Sequence, residues 1–205
     1  MTRNYQRELD LLISSLDKPP RLLLHACCAP CASYVLEYLS DYFDITLFFY
    51  NPNIDSFEEY EKRLAELARL VNTLPHKNNI EIINGEYTPH VFFNASLGLE
   101  NEPERGKRCD KCFYLRLEET VKAAKADDFD YFCTTLSISP HKNAALLNKI
   151  GEELAEKYGI PYLPSDFKKK GGYLRSIELS KKYNLYRQNF CGCRFSKDSA
   201  GEINE

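Results

Sequence analysis

Short apolar runs alternate along the chain with stretches whose apolar residues recur every three or four positions, the periods of buried strand and amphipathic helix. Leu22-Leu23-Leu24, just after Pro19-Pro20, predicts a strand over Arg21–Ala26. A helix is expected from Ala32 to Asp41, where Val35, Leu36 and Leu39 have helical spacing. Ile45–Tyr50 reads as a second buried strand, ended by Asn51-Pro52-Asn53. Ser56-Phe57-Glu58-Glu59 has the form of a capping box, and Leu64, Leu67, Ala68 and Val71 carry its helix to Leu74. Ile80–Ile83 predicts a third strand, and Gly85–Arg108 a short helix with a charged loop. Next come a helix over Cys109–Ala126, a strand over Tyr131–Thr135 and a helix over Lys142–Tyr158 closed by Gly159. A fifth strand over Ile160–Leu163 and a helix over Tyr173–Tyr183 complete the pattern, with a frayed tail after Ser196.

Strands separated by helix-length segments predict an α/β fold, a parallel sheet with helices on both faces. No internal repeat or low-complexity linker interrupts the 205 residues, so one domain is expected: an α/β core over 21–163 and a C-terminal segment over 164–196. In such sheets ligands collect beyond the carboxyl ends of the strands. Cys27 and Cys28 end the first strand and Thr134–His141 follow the fourth, so one site can receive both.

Seven of the eight cysteines fall into three tight groups: Cys27-Cys28-Ala29-Pro30-Cys31, Cys109-Asp110-Lys111-Cys112 and Cys191-Gly192-Cys193. Thiolates gathered from distant parts of a chain surround soft guests, iron–sulfur clusters or zinc. The chain has no apolar stretch long enough for a membrane span, and its N-terminus lacks the basic-then-apolar order of a signal peptide. A cytoplasmic protein is therefore expected, in which a disulfide framework is a poor explanation for the cysteines. Cys109 and Cys112 at a helix start supply two sulfurs where the helix dipole favours thiolates. With Cys27 and Cys28 they make four, the complement of a four-iron cluster. Zinc can use the same four sulfurs. Cys28-Ala29-Pro30-Cys31, between a strand and a helix, also suits thioredoxin-like redox chemistry. Cys191-Gly192-Cys193 reads equally as a strained, reducible disulfide or as a ligand pair for a second metal. Asp110 is either a helix N-cap or a hard ligand and proton donor beside the cluster. Cys133, inside an apolar strand, reads as a small buried hydrophobe.

The formal net charge of −3 hides an asymmetry. Residues 161–195 carry +6 and residues 1–160 carry −7, so a polyanionic partner is expected at one end. Lys168, Lys169, Lys170 and Arg175 lie among aromatic rings, followed by Tyr186, Arg187 and Phe190. Cations that hold phosphates beside rings that stack on bases suit single-stranded RNA, against the plainer reading of a solvated helix face. The hydroxyl-rich Thr134–Asn143 stretch, with Ser137, Ser139, His141 and Lys142, joins a strand to a helix N-terminus, where phosphates and polar substrates bind. Ordinary turn and capping chemistry also explains it. His25 reads as a core residue or a support for the cysteine site.

Five ordered motifs carry a resemblance: Leu24-His25-Ala26-Cys27-Cys28-Ala29-Pro30-Cys31, Tyr50-Asn51-Pro52-Asn53-Ile54, Arg108-Cys109-Asp110-Lys111-Cys112, Thr134–Asn143 and Tyr186–Cys193. From about Arg21 to Ser196 the chain closely resembles the QueH type of epoxyqueuosine reductase. The resemblance implies a Rossmann-like fold related to the adenine nucleotide alpha hydrolases, with their glycine-rich phosphate loop replaced by His25–Cys31. It implies reduction of epoxyqueuosine in the anticodon loop of tRNA, with electrons from a donor that it does not identify. It implies a [4Fe–4S] cluster on Cys27, Cys28, Cys109 and Cys112. Cys191 and Cys193 would be redox-active, as a disulfide or as ligands to an additional iron ion with Asp110, and Cys31 is left without a role. Two other functions compete on the residues alone: a thioredoxin-like thiol oxidoreductase and a zinc-stabilised RNA-binding module.

Overall fold

The computed structural model of the protein describes residues 3–201. Four strands, β1 (Arg21–His25), β2 (Asp44–Phe49), β3 (Ile80–Asn84) and β4 (Tyr131–Thr134), form one parallel sheet in the order β3-β2-β1-β4. Helices α2 (Ala29–Leu39) and α3 (Phe57–Thr73) follow β1 and β2. The short α4 (Pro89–Ala95) and the long α5 (Lys107–Ala126) link β3 to β4, and α6 (Ala144–Tyr158) comes after β4. The helical start Tyr5–Ser14 (α1) was not expected from the pattern; Asn4 caps it, accepting from Arg7 N at 3.2 Å.

The period of two in the strands splits the core between the two sheet faces. Leu22, Leu24, Ile45, Leu47, Phe49 and Cys133 pack with α2 and α3. Leu23, Phe48 and Phe132 pack with Phe113, Leu117 and Val121 of α5 and Leu147 and Leu154 of α6. Ser56 caps α3 as the capping pattern predicts, accepting from Glu59 N at 3.3 Å. Chain order reverses between β1 and β4, so a crevice opens beyond their carboxyl ends.

The fifth strand is not there. Ile160–Leu163 makes one isolated bridge, Phe132 to Tyr162, because Pro161 and Pro164 have no N–H to extend a ladder. Tyr162 instead lays its ring against Gly151 of α6, where a Cβ would stand 2.5 Å from it. Gly151→Ala is expected to lower unfolding stability by about 2 kcal/mol, the usual cost of overpacking. Denaturant unfolding with an unchanged slope and a lower midpoint checks this.

Beyond Leu163 the chain doubles back. Asn148 holds Ser165 with paired bonds of 2.9 and 2.8 Å, and α7 (Gly172–Lys182) packs on α2. The chain then runs along the polar face of α3. There Arg69 donates to Tyr183 O and Asn184 O at 3.0 Å each, and Tyr186 N donates to Glu66 at 2.6 Å. The frayed tail is also corrected: Arg194–Gly201 is helical (α8), while residues 202–205 lie outside the described residues. No helix among the described residues is long and apolar enough to cross a membrane.

Candidate metal and redox centre

β1 ends at His25 and the chain turns into α2 with Cys28 as N-cap in extended conformation. Its side chain makes no capping bond, and Pro30 costs nothing in the first turn because its missing N–H would be unpaired there anyway. N-cap and first-turn side chains converge, so the sulfurs of Cys27, Cys28 and Cys31 lie within 4.8 Å of one another. Cys27 Sγ is 3.7 Å from Cys28 Sγ and 3.8 Å from the Thr135 hydroxyl at the end of β4. Hydrogen bonds from Cys28 and Cys31 draw the Cys27 thiol well below its ordinary range, helped by the charges of Lys142 and Arg116. Cys27 in turn pushes Cys28 up to about 12 and Cys31 well above the usual thiol range.

Cys109 and Cys112 stand in the first turns of α5, whose N-cap is Gly106 rather than Asp110. Glu102 satisfies the exposed helix start by accepting from Lys107 N at 3.0 Å. Arg108 ties down the preceding loop through Leu99 O, Glu100 O and Glu102 O at 2.7–2.9 Å. The expected thiolate preference of this helix start is overridden: burial raises Cys109 and pushes Cys112 up to about 12. A soft metal bound here would displace those protons.

Cys191-Gly192-Cys193 arrives from the far end of the chain and is held by α3 and the loop before it. Asp55 N donates to Gly192 O at 3.1 Å, and Arg63 donates to Cys191 O at 3.1 Å while pairing with Glu59 at 2.7 Å. Gly192 has φ +116°, and a Cβ there would press on Ile54 and Arg63 at 3.0 and 3.1 Å. Cys193 is buried, which raises its pKa, and packs with Cys112 and Phe92. Cys191 is half-exposed.

Two cavities result. An open pocket of ≈ 530 Å³ has Cys27, Cys28, Cys31 and Cys191 in its wall, with Ser139, His141, Lys142 and Arg187 among the other lining residues. A small cavity of ≈ 20 Å³ is lined by Cys109, Cys112, Cys191 and Cys193 together with Asn53, whose buried Oδ1 has no partner. Cys191 belongs to both. All seven grouped thiols thus face two adjoining spaces.

Several sequence-predicted residues line neither space. Ser137 is buried, bonded to Ser165 Oγ at 3.2 Å and to Phe167 N at 3.4 Å. Lys168 donates to Ser137 O at 2.8 Å and pairs with Asp166 at 3.1 Å. Arg175 is engaged by Glu37 and Glu178, and the Tyr186 hydroxyl by Glu59. Lys169 and Asp110 lie outside both linings. Pattern reading missed Arg63, Arg105 and Arg116, which do line the open pocket. Arg116 had one signal: it lies four residues after Cys112, on the same helix stripe.

Arg116 is 1 % exposed. It donates to Asn51 Oδ1 at 2.6 Å and to His25 Nε2 at 3.2 Å, with Cys112 Sγ at 3.9 Å. His25 Nε2 lies between the Arg116 guanidinium and Tyr50 O, 3.1 Å away, and Nδ1 is 2.9 Å from Thr134 Oγ1. Burial and the Arg116 charge hold the His25 pKa down to about 3. His25 is thus both a core residue and a support for the site. Burial works against charge on Arg116 and on Lys142, yet the surrounding sulfurs outweigh it and raise both pKa values. Neither cation pairs with a carboxylate among the described residues.

A sequence profile described as "Epoxyqueuosine reductase QueH" matches residues 22–199. The chain belongs to the QueH family. A curated relative of that name from Staphylococcus epidermidis is 43% identical over 205 residues, covering 97% of this chain and 86% of its own. A QueH protein from Streptococcus pyogenes is 40% identical, with 97% and 80% covered. Another from Thermotoga maritima is 36% identical, with 85% and 89% covered. The QueH match spans all three thiol groups and the end of β1, which carries the first of them.

Proposed function

We propose that this QueH protein is the oxidoreductase that converts epoxyqueuosine to queuosine at the wobble position of tRNA, in the cytoplasm, by two-electron reductive deoxygenation in the thiol-lined pocket. The supporting observation is the convergence of seven thiols and two carboxylate-free cations, Arg116 and Lys142, on one end of the sheet of a QueH-family chain.

That donor set fits an iron–sulfur group: the sulfurs are soft ligands, and the cations would balance a negative cluster. Cys27, Cys28, Cys109 and Cys112 would hold a [4Fe–4S] cluster, with Cys31 hydrogen-bonded beside them. When bound, the cluster would supply single electrons, and an additional iron a Lewis acid for the epoxide oxygen. An additional iron would use Cys191, Cys193 and Asp110, although the Asp110 side chain lies outside both cavities.

Opening an epoxide to an alkene and water takes two electrons and two protons. As free thiols, rather than iron ligands, Cys191 and Cys193 hold two of each and become a disulfide when they give them up, so the balance closes on this pair. Reduction of that disulfide then falls to an external electron donor. Cys191 faces the pocket where substrate enters, and Cys193 stays buried against the Cys112 side. The clamp of Asp55, Arg63 and Gly192 keeps the pair from swinging away. Arg63, Arg105, Arg116, Lys142 and Arg187 face one carboxylate, Glu104, in the pocket wall, a cationic lining suited to an anticodon loop.

Metal content tests the reading. Protein purified without oxygen is expected to be brown, with about four iron and four sulfide per chain for a cubane cluster. Colourless zinc protein would instead support the RNA-binding module, and metal-free protein with a reducible Cys28–Cys31 pair the thiol oxidoreductase.

A further inference from the structure

We infer that Arg116 is the internal counter-ion of the thiol centre, a positioning residue that joins its two sulfur-bearing segments and sets its reduction potential. The inference rests on the iron–sulfur reading for its redox part.

A buried charge removed from water costs several kcal/mol unless something of opposite sign replaces the lost hydration. The other buried arginines are provided for: Arg63 pairs with Glu59, and Arg108 is ringed by three carbonyl oxygens. Arg116 has only two neutral acceptors, Asn51 and His25. Among the described residues no carboxylate pairs with it, Glu104 sharing only the pocket wall, and the groups of potential negative charge that act on it are sulfurs: Cys112 at 3.9 Å, and Cys27 and Cys191. The guanidinium also spans the architecture. It projects from α5 one turn beyond Cys112, binds His25 two residues before Cys27, and binds Asn51, which donates to Ala26 O at 3.0 Å. The end of β1, the loop after β2 and the middle of α5 therefore meet on one cation.

A fixed positive charge beside a redox group stabilises the more negative, reduced state, and burial protects the effect from salt. Arg116→Gln keeps a donor but removes the charge, and Arg116→Lys keeps the charge but loses the fork. The experiment compares these with wild type after anaerobic loading with iron and sulfide, reading metal stoichiometry and the midpoint potential from a spectroelectrochemical titration. Arg116→Gln is expected to bind iron as wild type does and to shift the midpoint to more negative potential, with a smaller shift in Arg116→Lys. A fully loaded Arg116→Gln with the wild-type midpoint overturns the inference.

Should Arg116→Gln fail to fold, Asn51→Asp supplies the missing carboxylate in nearly the same shape. A negative shift there supports the counter-ion, and an unshifted midpoint overturns it. Wild-type protein that takes up no iron sinks the iron–sulfur reading by itself. The counter-ion is then judged on metal-free protein, from iodoacetamide alkylation of Cys27 at pH 7. Several-fold slower labelling in Arg116→Gln supports it, and equal rates overturn it.

Discussion

Serine in place of Cys191 or Cys193 is expected to reduce epoxyqueuosine turnover by on the order of 10³-fold or more, the scale of losing an essential catalytic group. The visible spectrum of the bound cofactor should survive either change. The physical reason is that a hydroxyl can imitate the size and hydrogen bonding of a thiol but neither its oxidation to a disulfide nor its ligation of soft metal. The loop itself should persist, because it is held through backbone groups: Asp55 N to Gly192 O, Arg63 to Cys191 O, and Cys191 N to Ser196 Oγ at 3.1 Å. Single-turnover assays on anaerobic protein, with iron measured on the same samples, decide the matter. Full activity in either variant removes the pair from the reaction. Loss of iron in Cys193→Ser alone would move that buried sulfur from the electron store to the ligand set.

Neutralising Lys142 and Arg187 together is expected to weaken tRNA binding by roughly ten- to a hundredfold at 0.1 M salt, and to flatten the salt slope by about 1.5. Both cations line the open pocket, and both are free of carboxylate partners among the described residues. The triple neutralisation of Lys168, Lys169 and Lys170 should act less on RNA. Lys168 is spent on Ser137 O and Asp166, and Lys170 pairs with Asp10, so Lys169 alone among the three is unpaired. A slope change of at most about one contact, about 0.8, is expected from the triple variant. It should also lose stability, since Ser137 O loses its donor. Electrophoretic or fluorescence binding at three salt concentrations separates the two surfaces. A larger slope change in the triple variant would place the RNA along 168–170 instead.

The contrast between those two sets of cations shows where pattern reading stops. Charge and aromatic spacing marked the stretch from Lys168 to Arg187 as one basic surface. Pairing divides it, because partners such as Glu37, Asp10 and Glu66 come from helices far away in the chain. Ser137 illustrates the same limit. Its place in a hydroxyl-rich loop after β4 was legible, but an alternation of one residue decides whether a side chain enters the pocket or the core, and Ser165 claims it for the core.

Local forces determined what the chain alone could say. Strand and helix periods, the Ser56 cap, the Gly159 stop and the burial of Cys133 follow from neighbours within a few residues, as does the placing of Cys27 and Cys28 at a strand end. Long-range pairing decided the rest. The fold laid the C-terminal stretch along α3 to bring Cys191 and Cys193 beside Cys109 and Cys112, and buried Arg116 beside Cys112. No periodicity encodes these meetings, because they depend on which polar groups find compensation once water is excluded.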